Sequence, residues 1–239
     1  MLEYTDDFKK DVFNLYPTKE VSTNHIQYDK VPLFDGLENS EIMGLLTCMG
    51  ARIKTVDKDY PLAMEGDPVS MVGVVTSGKL QIYKDDMCGA LTIIAEVVPG
   101  EMFGEVFACA GVDKMPVSIY SAEKTTVMLI DFKKLLTTCS NSCPFHSKVI
   151  QNLLKIVSQK ALTLNRRIEI ISKRSIRDKL MCYLIMEYYR TNKTNFVIPF
   201  NRQQLADFLC VERSALSAEM SKMKKENIID YNKNEFWLL

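Results

Sequence analysis

Asn201-Arg-Gln-Gln-Leu-Ala-Asp-Phe-Leu-Cys-Val-Glu-Arg-Ser-Ala-Leu-Ser-Ala-Glu-Met-Ser-Lys-Met-Lys-Lys225 reads as two short helices around a break at Cys210-Val211. In the first, Leu205, Phe208 and Leu209 recur at helical spacing, and Ala206 leaves room for a close neighbour. In the second, Leu216, Met220 and Met223 form an apolar stripe, while Arg213, Ser214, Ser217 and Lys222 lie off it. A short helix, a tight turn and a helix with a polar outer face follow the helix-turn-helix plan. In that plan the second helix enters a DNA major groove and the first crosses the backbone. The plainer alternative is a helical hairpin packed in a core. Small hydrogen-bonding residues on the outer face, in place of a salt-bridge lattice, favour the first reading.

Working outward, the segment behind the second helix carries Ile228–Tyr231 and Glu235–Leu239 around Asn232-Lys233-Asn234, a hairpin pattern that makes the module winged. Ahead of it, Ser175–Tyr189 forms a helix through Ile176, Leu180, Tyr183 and Leu184, and Asn195–Phe200 a short strand. Between Pro144 and Pro199 there is neither Gly nor Pro. Within that stretch Ile150, Leu154, Val157, Ala161, Leu164, Ile168 and Ile171 keep 4-3 spacing, an apolar seam for a second helix. The seam predicts a parallel homodimer; a helix lying on its own N-terminal domain is the alternative, and the two are compatible.

The N-terminal half has the opposite character. All ten glycines fall at or before Gly111. The runs between them, Ala51–Val56, Met71–Thr76, Leu80–Tyr83, Leu91–Val98, Val117–Tyr120 and Thr125–Ile130, are rich in β-branched and aromatic residues. Short strands separated by Gly-containing turns predict a compact antiparallel barrel or roll. Asp131 caps a short helix after it, Leu37–Cys48 forms a helix before it, and residues 1–30 carry only a weak helical pattern at Phe8–Leu15.

The totals set the frame. A chain of 239 residues, 47% hydrophobic and 25% charged, is an ordinary globular chain with room for two cores. Formal net charge is zero, but residues 172–239 hold 12 Lys+Arg against 8 Asp+Glu, a net of +4, leaving −4 for the rest. A basic C-terminal end suits a phosphate-contacting module. Seven cysteines at irregular spacing do not form a disulfide framework and fit a reducing cytoplasm. The N-terminus, with Asp6, Asp7 and Asp11, lacks a signal-peptide core, and no run approaches the roughly 18 apolar residues of a membrane span.

A β roll, a long dimer-forming helix and a C-terminal winged helix-turn-helix, in this order, resemble the CRP/FNR family of bacterial transcription regulators. The resemblance runs from about Val31 to the end. Glu65-Gly66-Asp67, Val74-Val75-Thr76-Ser77-Gly78-Lys79 and Pro99-Gly-Glu-Met-Phe-Gly-Glu105 look like the family's turn and cyclic-nucleotide cradle segments. Arg177–Leu184, Asn201–Leu209 and Val211–Ser217 look like its DNA-binding helices. The implied fold is α+β: a cupin-like jelly-roll effector domain over 31–143 after an extension over 1–30, a dimerisation helix over 144–172, and a winged helix-turn-helix over 173–239. The implied function is a dimeric regulator on a palindromic operator, with double-stranded DNA and RNA polymerase as partners.

In cyclic-nucleotide-binding members an arginine about ten residues after the cradle glutamate holds the cyclic phosphate, followed by a small hydroxyl residue. Here those positions are Met115 and Pro116. Methionine cannot neutralise a phosphate, and proline removes a donor and a hydroxyl. Lys114 is adjacent but faces the other way in an extended segment. We therefore expect no tight cyclic-AMP binding. The expected pocket, around Gly104, Glu105, Val106, Met115 and Pro116, takes another small-molecule effector or is filled by its own side chains. Family position adds Leu162, Thr163 and Arg166 from the long helix.

No N-terminal cysteine cluster supports an iron–sulfur centre, and neither His25 nor His146 lies in the cradle to argue for haem. Cys139-x3-Cys143-x2-His146 is not a zinc spacing, so no metal is expected; Cys109 and Cys210 read as packing residues. In the reader, Arg213 is the expected base contact, to guanine. Ser214 and Ser217 reach bases or phosphates, Ala218 meets a thymine methyl, and Arg202, Gln203 and Lys222 hold phosphates. Relatives favour arginine at the Ala218 position and glycine at that of Cys210. A sensor with a degenerate DNA module is the runner-up. An enzyme is a distant third, because no triad, acid–base pair or P-loop is present.

Overall fold

The structure, a computed structural model, describes residues 28–85, 91–137 and 144–239. The Phe8–Leu15 pattern, His25, Cys88, Cys139 and Cys143 lie outside the described residues. The chain divides into two compact units between Val157 and Ser158.

The first unit opens with 3₁₀ turns at Tyr28–Lys30 and Pro32–Phe34 and helix α1 (Asn39–Cys48). Glu38 and Glu41 close a reciprocal capping box at the start of α1, satisfying two donors that the helix leaves unpaired. The strands are β1 (Arg52–Val56), β2 (Pro61–Ala63), β3 (Met71–Ser77), β4 (Leu80–Asp85), β5 (Leu91–Val97), β6 (Met102–Phe103), β7 (Ser118–Ser121) and β8 (Thr125–Asp131). They form two antiparallel four-stranded sheets, β1-β8-β3-β6 and β2-β7-β4-β5. Six strands coincide with the β-branched runs of the sequence. The short β2 and β6 were not expected, nor was helix α2 (Glu105–Cys109); each is too brief to show a period. Helix α3 (Phe132–Leu136) follows, with Asp131 accepting from the Lys134 amide at 3.1 Å as its N-cap.

Two apolar clusters hold this unit. One joins the outer side of β3 and β8 (Val72, Val74, Met128, Ile130) to Leu33, Phe34, Ile42 and Leu45. It also takes Val149 and Leu153 from the start of helix α4 (Pro144–Ile171). Buried Asn152, on the same turn of α4, donates to the Leu33 and Asp35 carbonyls at 3.0 and 2.9 Å. The other cluster fills the roll: Val75, Leu80, Val97, Phe103, Met115, Val117, Ile119 and Val127. Each such side chain contributes roughly 1.5–3 kcal/mol when fully buried. Gly73 is required here, because a Cβ on it would lie 2.0 Å from the Phe103 ring on the paired strand.

The second unit packs the end of α4 through Ile170 with α5 (Ile176–Thr191), α6 (Arg202–Leu209) and α7 (Arg213–Lys225). Strands β9 (Asn195–Val197), β10 (Ile229–Asn232) and β11 (Glu235–Leu238) form a sheet in the order β10-β11-β9. The β10–β11 pair is the expected wing, with Tyr231 opposite Phe236 and Lys233 in the turn at φ 55°. Along α4, the heptad residues Leu154, Leu164 and Ile168 are 67%, 60% and 59% exposed. Ala161 is exposed too, while Ile150, Val157 and Ile171 are half-buried.

Candidate nucleic-acid interface and effector roll

Helix α6 starts in a capping box. Asn201 Oδ1 accepts from the Gln204 amide, and Gln204 Oε1 accepts from the Asn201 amide, both at 2.9 Å. It buries Leu205, Ala206 and Leu209 and ends at Cys210, whose φ of 52° and ψ of 55° are left-handed. Glycine adopts that conformation freely and cysteine does not, so the turn carries strain at Cys210. Lys179 covers the freed carbonyls, with Nζ donating to Leu209 O at 3.2 Å and Cys210 O at 3.4 Å.

Glu212 then caps α7. Its carboxylate accepts from the amides of Ser214 at 2.5 Å and Ala215 at 3.1 Å, and from the Ser214 hydroxyl. The Ser214 hydroxyl, then the two amides, hold its carboxyl below the usual carboxylate range. The sequence reading passed over Glu212; an acid directly before a helix start was the available signal. Leu216, Met220 and Met223 are fully buried, and Arg213, Ser214, Ala218 and Lys222 are exposed, with Ser217 half-buried. The apolar stripe and the polar outer face thus lie on opposite sides, as the spacing implied.

Three further residues position α7. Arg177 on α5 donates from Nε to Glu219 at 2.6 Å and from Nη1 to Glu226 at 2.7 Å, clamping α7 near its end. Lys224 pairs with Asp230 on β10, and its ammonium sits 5.4 Å from the Tyr231 ring centroid. Arg202 is half-buried: its guanidinium stacks 4.9 Å from the Tyr231 centroid and touches Met220 Sδ. Burial lowers its pKa, with nearby Arg213 adding to the effect. Arg202 therefore has a packing role in the wing beside any phosphate contact. Gln203 donates to Asp207 at 2.8 Å.

In the roll, Gly104 is left-handed at φ 78° and starts α2, which points Glu105 inward (1% exposed) and Val106 outward. Met115 is 6% exposed in the apolar interior cluster, and Pro116 beside it is half-buried. Backbone bonds fix Met115, whose amide donates to Asp67 O at 2.7 Å and whose carbonyl accepts from Gly66 at 2.8 Å. Met115 and Phe103 occupy the interior together. Leu162, Thr163 and Arg166 are exposed and belong to the second unit, with the Thr163 hydroxyl donating to Gln159 O at 2.9 Å.

Of the ligand-like Cys139, Cys143 and His146 group, only His146 is among the described residues, and it is buried. Among the described residues no group of three or more His, Cys, Asp or Glu is placed to hold a metal, and no helix is long and apolar enough to cross a membrane. Burial raises the thiol pKa of Cys109 and Cys182.

Comparison with known proteins separates the same two parts. Residues 53–142 match the cyclic nucleotide-binding domain, and residues 178–239 match the Crp-like helix-turn-helix domain. An effector-type roll joined to a Crp-like reader defines a class of DNA-binding transcription regulators. The two matched domains, in this order, fit a regulator of the CRP/FNR family. It is similar to the cyclic AMP receptor protein of Thermus thermophilus, 21% identical over 83% of this chain and 88% of that one. Among solved structures it resembles CprK complexed with OCPA (14% identity, 83% of this chain and 88% of that one, TM-score 0.58). It also resembles the c-di-GMP-responsive global regulator CLP of Xanthomonas campestris (14% identity, 84% and 99%, TM-score 0.52). At these identities the two structures speak for the fold.

Proposed function

We propose that the protein is a homodimeric, non-enzymatic transcription regulator of the cytoplasm that binds a palindromic operator. Its partners are double-stranded DNA and, as the family implies, RNA polymerase. The effector domain spans 31–143, the dimerisation helix 144–172 and the reader 173–239. The observation that carries the dimer is the exposure of Leu154, Leu164 and Ile168, three large apolar side chains on one heptad seam. Pairing there supplies the two-fold axis that places two copies of α7 in successive major grooves, about one helical turn apart.

In each copy Arg213 makes the sequence-specific contact, with Ser214, Ser217 and Ala218 beside it and Gln203, Lys222 and Arg202 toward phosphates. The effector is a small molecule other than cyclic AMP. Met115 and Pro116 stand where a phosphate-binding arginine and a hydroxyl are needed, and Met115 lies in an apolar cluster. Leu162, Thr163 and Arg166 complete the effector side of the helix. Sedimentation tests the dimer: wild type should be dimeric and Leu164→Glu monomeric, and a Leu164→Glu protein that stays dimeric refutes the seam.

A further inference from the structure

The outer face of α7 has an uneven supply of hydrogen-bond donors. The Ser214 hydroxyl donates to Glu212, the Ser217 hydroxyl to Arg213 O at 2.9 Å, and the Ser221 hydroxyl to Ser217 O at 2.9 Å. A serine hydroxyl has one proton and two lone pairs, so a serine whose proton is bound inside the helix offers its surroundings only acceptors. Glu212 is ionised at neutral pH and is itself acceptor-only. The Arg213 guanidinium, by contrast, makes no hydrogen bond or ion pair among the described residues and keeps its five N–H groups for an outside acceptor. The first turn of α7 therefore sets one donor fork beside a block of acceptors built from Glu212 and Ser214.

Base edges in the major groove divide along the same line. Guanine offers only acceptors (N7, O6) and thymine an acceptor with a methyl. Cytosine offers its N4 amino group, and adenine its N6 amino group beside N7. We propose that the Glu212–Ser214 pair is a specificity determinant. It selects an exocyclic amino group, of cytosine or adenine, at the base position next to the guanine read by Arg213. A carbonyl at that position meets the lone pairs of Ser214 and the charge of Glu212, and rejection follows from that repulsion. Glu212 thus has two tasks: it caps the helix and fixes the direction of the Ser214 hydroxyl. The inference rests on the DNA-reading role proposed above and adds the chemistry of one further base position.

Selection from duplexes randomised across both symmetric half-sites tests it. Wild type should enrich cytosine or adenine beside the Arg213 guanine. Replacing the enriched base with its amino-free analogue (pyrimidin-2-one for cytosine, purine for adenine) should weaken binding about tenfold, the lower end of a good base contact. The two analogues distinguish which base supplies the amino group. Glu212→Gln keeps an oxygen to cap α7, as circular dichroism should confirm, but adds an amide donor. It should shift the preference toward guanine or thymine at that position alone. Ser214→Ala should reduce the preference with the cap intact. Carbonyl bases enriched on both sides of the guanine, or an unchanged preference in both variants, overturn this inference and leave the DNA-reading role standing. Wild type that binds selected and random duplexes alike overturns both.

Discussion

The roll and the reader are built on opposite terms. Inside the roll, Met115 shares an apolar cluster with Phe103, Val75 and Leu80 and leaves little exposed. On the outer face of α7, Arg213, Ser214, Ala218 and Lys222 are exposed, and the helix beneath them is clamped by Arg177, Glu219 and Glu226. An apolar cluster closes on itself because burial is favourable, and at Met115 no cation stands to hold an anionic ligand. A DNA-reading face needs the reverse: polar groups presented outward on a helix that does not move. The chain thus joins an apolar input to a polar output, and changes to each half should have different consequences.

The largest effect should come from opening the roll. Phe103→Ala leaves Gly73 without the ring that covers it and should cost about 3–5 kcal/mol of stability by denaturant unfolding. DNA affinity of the folded fraction should change little. Next, Arg213→Ala should remove about 1–3 kcal/mol of discrimination between specific and random duplexes, with thermal stability close to wild type. A loss of stability equal to that of Phe103→Ala would place Arg213 in the core economy of the reader and break the contrast. A smaller change is expected at the turn. Cys210→Gly relieves a left-handed non-glycine residue and should raise stability by up to about 1 kcal/mol, seen as a higher melting temperature.

The smallest effect concerns pH. Arg177 donates to Glu226 and holds its carboxyl below the usual range, and Lys224 does the same for Asp230. Because these folded-state values are depressed, the stabilisation is present above the unfolded values of about 4 and is lost as pH falls through the folded ones. The melting temperature should therefore decline as pH drops below about 4, and Arg177→Met should flatten that decline. An identical slope in the variant would show that the clamp is not the source.

Much of this arrangement was legible in the sequence, and the reasons are specific. Leu216, Met220 and Met223 announced the buried side of α7 through their spacing, and the stretch without Gly or Pro between Pro144 and Pro199 marked the change from roll to helices. Asp131 signalled a helix start that the structure contains. What escaped notice depends on contacts between residues far apart in the chain. The pairing of Arg177 with Glu219 and Glu226 spans more than forty positions, and nothing local betrays it. Arg202 looked like a surface cation because its stacking on Tyr231 needs the wing folded back across α6 and α7. The two-residue β6 is visible only through Gly73 and Phe103 meeting across β3.

The apolar interior of the roll is the claim on which the contrast depends, and isothermal titration of the wild-type protein with cyclic AMP tests it most directly. We expect no saturable heat at micromolar nucleotide, because Met115 offers no charge to the phosphate and occupies the interior with Phe103. Saturable binding at micromolar concentration, one nucleotide per chain, would contradict the account and show that the roll opens to a charged ligand without the missing arginine.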